Sequence, residues 1–214
     1  MSTRQLSILL SIPIMLVGLA ISRFGEAQQP AASSPQTLEQ AVAADGQTTF
    51  KKLAELLTAV GVKADETKLI DGTAVNLVRV VHIRWNAYIG APDFVEPDTT
   101  RFPAGRELTA LDRRKEKGSP PHLRFPSLTT QEILIAAVDA GDNLLWWTEI
   151  NDPRVIRSEG LDQKGQMTGT ISHRSRPEFW IDIPDSSNIK ELRFYQIKFS
   201  GTDYALELIN AVPF

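Results

Sequence analysis

Four tryptophans carry most of the chemistry that this chain can offer at a surface. Trp146 and Trp147 are adjacent in a run with strand character, so their side chains must leave on opposite faces. One enters a core and the other lies on an outer face. Trp180 alternates with Phe179 and Ile181, which predicts that it points outward while they point in. Tyr195 is a candidate neighbour. An indole exposed on a sheet can stack on a sugar ring or anchor a protein partner. The candidate ligand-binding residues are therefore Trp147, Trp180, Trp146 and Tyr195. The bland alternative is that a helix, or the segment from Asn86 to Thr130, covers them.

Catalytic constellations are weaker. His82, His122 and His173 stand far apart, and none sits near a matching acid pattern, which argues against a zinc site. His82 reads as an outward strand residue. No Gly-x-Ser-x-Gly elbow surrounds a serine, and Ser158, Ser172 and Ser200 have no telling context. Glu149, Asp152, Glu159 and Asp162 could pair for glycoside hydrolysis, as acids in any acidic chain could. Asp139, Asp142 and Asn143 could ligate Ca²⁺, but a tight turn explains the same residues. Phosphate loops are absent. No cofactor and no metal are expected.

Several elements must position these residues. Ser2, Thr3 and Arg4, the apolar run Leu6 to Ile21 and Gly25-Glu26-Ala27 have the form of a secretory signal peptide at 1–27. The apolar run is shorter than the about 20 residues of a spanning helix. Cleavage leaves no stable membrane span; the alternative is an uncleaved anchor, since Arg23 stands just beyond the run. A Pro/Ala/Ser linker follows at 28–36, then a short helical segment at 37–66. Thr37 to Gln40 fits a capping box. Phe50, Leu53, Ala54, Leu57 and Val60 mark a second helix, capped by Thr48 or Thr49 and stopped at Gly61.

From 67 to 214 the pattern is of strands. Val75 to Trp85 alternates in part, with Val75, Leu77, Val81, Ile83 and Trp85 on one face, interrupted by Arg79. The proline-rich stretch 86–130, with its charged run Asp112 to Lys117, reads as a long loop. Glu132–Val138 and Leu144–Ile150 flank a hairpin turn at Asp139 to Asn143. Val155–Arg157, Gln166–Ser172, Phe179–Ile183, Glu191–Phe199 and Tyr204–Ala211 follow. The apolar phase slips between Phe194 and Ile197, which predicts a β-bulge there. The expected fold is mainly β: an antiparallel β-sandwich, immunoglobulin-like or jelly-roll-like, of seven or eight strands with a short N-terminal helical segment.

Leu123-Arg124-Phe125-Pro126, Glu132-Ile133-Leu134-Ile135, Asp139-Ala140, Trp147 and Ile150-Asn151-Asp152-Pro153 follow one another at telling spacings. Together they resemble part of the N-terminal β-sandwich domain of bacterial IgA-protease-type zinc metallopeptidases. The resemblance implies an accessory sandwich rather than a catalytic unit, and no His-Glu-x-x-His occurs in the chain. Ala43 to Gly61 is similar to the opening helices of fasciclin-like adhesion domains, but the later strand motif of that family is missing.

Composition narrows the rest. The net charge of −3 offers no basic field for nucleic acid, and there is no cysteine. The expected protein is a secreted or periplasmic, bacterial, non-catalytic binding or accessory module with a protein or glycan partner at the envelope. The alternatives are a hydrolase with a loop-built site and a purely structural envelope protein.

Overall fold

The structure is a computed structural model, and it describes residues 46–72, 74–96, 101–121, 123, 126–161 and 164–214. The signal peptide, the linker, the capping box at Thr37 and the residues His122 and Asp162 lie outside these. Helix α1 (Gly46–Ala59) opens the described chain. It begins two residues before Thr48, so neither threonine marks its start. Its end follows the sequence expectation. Gly61 takes φ +85°, its N–H donates to Thr58 O, and Val62 N–H donates to Leu57 O. This pair of bonds satisfies two end carbonyls, and the positive φ suits glycine best. Leu57 and Val62 are both buried beside the cap.

Ten strands follow among the described residues: β1 (Leu77–Tyr88), β2 (Phe94–Val95), β3 (Ala104–Lys117), β4 (Glu132–Val138), β5 (Leu144–Asn151), β6 (Val155–Leu161), β7 (Met167–Arg174), β8 (Glu178–Pro184), β9 (Glu191–Phe199) and β10 (Tyr204–Pro213). They form three antiparallel sheets, ordered β3-β1-β8, β10-β9-β4-β5 and β2-β7-β6. The fold is mainly β with one short helix, and no described helix is long and apolar enough to cross a membrane.

The sheet β10-β9-β4-β5 is buried on both sides. Ile133, Ile135, Trp146, Leu192 and Phe194 pack against Val81, Ile83, Trp85, Ile181 and Ile183 from β1 and β8. Leu134, Ala136, Trp147, Tyr195 and Ile197 pack against Leu53, Leu56 and Leu57 of α1. Double burial explains the apparent slip in β9. Phe194 serves one core while Tyr195 and Ile197 serve the other, so both phases are apolar without a bulge. The bulge lies instead in β10, between Leu208 and Asn210.

The stretch 86–130 is not the single long loop that its prolines and charges predict. This stretch contains β3, a strand of 14 residues. Its Asp112 to Lys117 run misled because β3 is an edge strand, and charge on an edge is how sheets avoid pairing with other chains. Arginines also close its seam with β10. Arg106 Nη1 donates to Leu208 O at 3.1 Å and pairs with Glu207, and Arg113 Nη2 donates to Pro213 O at 2.5 Å. The free edge of β5 is shielded differently. Lys63 N–H donates to Asp142 O, and Ile70 N–H donates to Leu145 O, so the chain after α1 runs along it.

Candidate functional site

Alternation in β1 places His82, Arg84 and Asn86 opposite the buried Val81, Ile83 and Trp85. The outer face of β3-β1-β8 is polar around these residues, although Val78 and Val80 lie buried on it further along β1. Trp180 of β8 lies beside His82 in register and is 48% exposed. The His82 and Trp180 rings stack at 4.1 Å with 12° between their planes. Arg114 of β3 reaches over the indole, 4.9 Å from its centre, and its Nε pairs with Glu116 at 2.6 Å. Glu178 ties the row together, with one oxygen 3.1 Å from His82 Nε2 and the other 2.7 Å from Arg84. The hydrogen bond from Arg84 holds the Glu178 carboxyl below its usual range.

Arg84 then opens onto a groove of about 370 Å³. Asn86, Gly90, Glu107, Thr109, Leu111 and Arg176 complete its walls. Amide, hydroxyl, carboxylate and guanidinium groups converge there. Aromatic ring, ion-paired row and groove together make one continuous strip along the sheet.

The other tryptophans are placed differently. Trp146 and Trp147 do leave on opposite faces, but both faces are covered, and the two residues are buried in separate cores. Tyr195 is buried in the core under α1. Alternation predicts one of the adjacent pair in a core and the other on an outer face, but the structure buries both, and Tyr195 with them. The reason is the position of β4, β5 and β9 in a sheet with a layer on each side. Only Trp180 of the four candidates faces solvent.

The remaining candidates do not assemble. His173 sits on β7 beside the Tyr88 ring at 6.1 Å, with Nδ1 buried and unpartnered. Ser158 and Ser172 lie on β6 and β7, and the Ser200 hydroxyl donates to Asp203 O. The Asp139 carboxylate accepts from Gly141 N–H and from Asn143, while Asn143 Oδ1 accepts from Lys68 and Asp142 pairs with Arg193. The turn reading accounts for all three residues, and Asp142 takes φ +61° there.

Of the four acids, Asp152 pairs with Arg154, Glu159 is exposed on β6, and Glu149 meets a different acid. Its Oε2 accepts from the Ser127 hydroxyl at 2.9 Å, and that hydroxyl also contacts Glu132. Ser127 and Leu128 N–H groups donate to the same Glu149 carboxylate. Burial pushes the Glu149 carboxyl above its ordinary 4.5, against the pull of these bonds, and Glu132 adds to the rise. The folded state then holds this proton more tightly than the unfolded chain. Its contribution to stability is intact below the unfolded pKa and is lost as pH rises through the higher folded value. Glu149→Gln should remove that loss. Between pH 4 and 7 the urea midpoint of the variant should fall less than that of the wild type. Parallel pH profiles would refute the assignment.

Sequence reasoning missed the groove. Arg84 and Asn86 were legible from the alternation that set His82 outward. Glu107 and Thr109 were not, because the prolines and charges around their strand β3 give no strand signal. No family model, no curated protein and no solved structure matches this chain.

Proposed function

We propose that this protein is a secreted or periplasmic, non-catalytic binding module that recognises a glycan at the cell envelope through the outer face of β3-β1-β8. The observation that supports this most is the exposed Trp180, joined through His82 and Glu178 to Arg84 of a groove also lined by Asn86, Glu107, Thr109 and Arg176. Sugar rings have an apolar C–H face and a rim of hydroxyls. An indole held in one orientation suits the face, and convergent polar side chains suit the rim. His82 supplies that orientation by stacking on the ring. The β3-β1-β8 and β10-β9-β4-β5 sheets, packed through a common apolar core, fit the antiparallel β-sandwich expected from the sequence. An accessory sandwich of the metallopeptidase kind is in keeping with the same reading.

A hydrolase is the second reading, and the His82–Glu178 contact is what favours it. A relay through His82 also needs a hydroxyl nucleophile on the imidazole. Among the described residues no serine or threonine hydroxyl hydrogen-bonds to His82, and Glu178 is shared with Arg84. Binding accounts for the row with fewer additions.

The test is affinity electrophoresis of the full chain through gels containing envelope and plant-type polysaccharides, alongside Trp180→Ala. At least one polysaccharide should retard the wild type, and the variant should bind at least roughly tenfold more weakly, as expected for loss of a stacked aromatic. Equal retardation of both proteins, or none with any polysaccharide, would reject the proposal.

A further inference from the structure

The sheet β2-β7-β6 is an arm with little cover. Beyond its base, where Val155 and Val95 both lie opposite His173, β6 and β7 form a two-stranded ribbon. Such a ribbon is marginal by itself in water. Its two faces differ. Ser158, Gly160, Thr168, Thr170 and Ser172 share one of them. The other carries Arg157 opposite Ile171, Glu159 opposite Gly169 and Leu161 opposite Met167. Leu161 is 69% exposed and Met167 73%. Strand β6 is also the edge of its sheet, so its outward N–H and C=O groups have no strand beside them among the described residues.

We propose that this edge pairs antiparallel with β6 of a second copy of the chain, about a two-fold axis at Ser158. The ladder itself restricts the register. Arg154 O accepts from Arg174 N–H, so even-numbered residues of β6 turn their backbone groups toward β7. The odd residues, Arg157, Glu159 and Leu161, turn theirs to the free edge. A symmetric antiparallel pair must therefore match odd residues with odd, which leaves axes at whole residues only. An axis at Arg157 sets Arg157 against itself, and an axis at Glu159 sets Glu159 against itself. Like charges directly opposite oppose pairing. An axis at Ser158 sets Arg157 opposite Glu159 of the second copy, twice by symmetry, and Val155 opposite Leu161, also twice.

Charge and apolar contacts are thus self-complementary in one register, as an isologous interface requires. Two further features fit. Val155 and Arg157 line a hollow of about 330 Å³ with Thr130, Gln131, Asn151 and Asp152, where Leu161 of the second copy would arrive. Arg157 already reaches Gln131 there, and its guanidinium retains donors for a carboxylate. The ribbon would become four strands, with its apolar face shared.

Because the chain has no cysteine, Ser158→Cys introduces a single thiol. Facing residues of a non-hydrogen-bonded pair have Cα atoms about 4.5 Å apart, within disulfide reach. Under mild oxidation the full-chain Ser158→Cys variant should form a reducible dimer. Thr168→Cys, on the same face but on β7, should stay monomeric. In the Ser158→Cys background, Arg157→Glu should slow crosslinking roughly tenfold, and adding Glu159→Arg should restore it. All four positions are exposed, and circular dichroism confirms the fold of each variant. Crosslinking no faster than for Thr168→Cys overturns the proposal, including the case where this edge serves another protein. A charge swap that fails to restore the rate overturns the register.

Discussion

Gly105→Ala should be among the most damaging single substitutions in this protein, costing at least about 3 kcal/mol. The cause is backbone, not side chain. A Cβ at 105 would stand 1.9 Å from the carbonyl oxygen of Asn86, in the neighbouring strand. Atoms of that kind keep at least 3 Å apart, and a carbonyl held in a ladder has no rotamer to change. The crowding arises where the β1–β3 register shifts, between Asn86 opposite Glu107 and Tyr88 opposite Ala104. A bulge brings an extra residue of β3 against β1, and only glycine fits the approach. Gly105 O also accepts the buried Trp85 Nε1–H at 2.9 Å, so displacing the strand strands that donor. Asn86, Glu107 and Thr109 border the same groove, so whatever fraction folds should bind polysaccharide more weakly. Gly118→Ala is the control. Its Cβ would meet Val78 Cγ2 at 3.6 Å, an ordinary contact, and should change stability by less than about 0.5 kcal/mol. Urea unfolding of both variants decides the matter, and a Gly105→Ala cost below about 1 kcal/mol would refute the clash.

Arg154→Met is expected to cost about 3–5 kcal/mol. Arg154 and Asp152 form an ion pair at 2.6 Å with side chains only 13% and 6% exposed. Arg154 Nε donates to both carboxylate oxygens, and Arg154 N–H donates to Oδ1. The guanidinium also lies 4.4 Å over the Trp85 ring. Methionine keeps much of the volume but leaves Asp152 charged, buried and unpaired, and that is the larger part of the cost. Adding Asp152→Asn to Arg154→Met should therefore recover at least about 1 kcal/mol. Additive losses in the two single variants and the double would show that the pair is uncoupled. The pair stands at the turn from β5 into β6, where Arg154 O accepts from Arg174 N–H. Loosening it should expose the β6–β7 arm to limited proteolysis before the rest of the fold.

Both effects turn on the same division between what is local and what is not. Local pattern was enough for the helix stripe, for the Gly61 stop and for the 139–143 hairpin, because each depends on neighbours in the chain. It was also enough to set Trp146 and Trp147 on opposite faces and Trp180 outward, since alternation in a strand is a property of the backbone. Alternation does not say what lies above a face. Trp147 and Tyr195 are interior because α1, far back in the chain, lies across their sheet, and Trp180 is exposed because nothing described lies across its own. The charged strand β3 was illegible for a related reason. Apart from Leu108 and Ala110 its residues carry no apolar alternation, and pairing with β1 makes them a strand. The groove, the Ser127 hydroxyl between Glu132 and Glu149, and the Gly105 approach each bring together segments distant in the chain. Local sequence therefore determined most of the elements and the direction of their side chains, while long-range pairing made β3 a strand and long-range packing decided which side chains meet solvent.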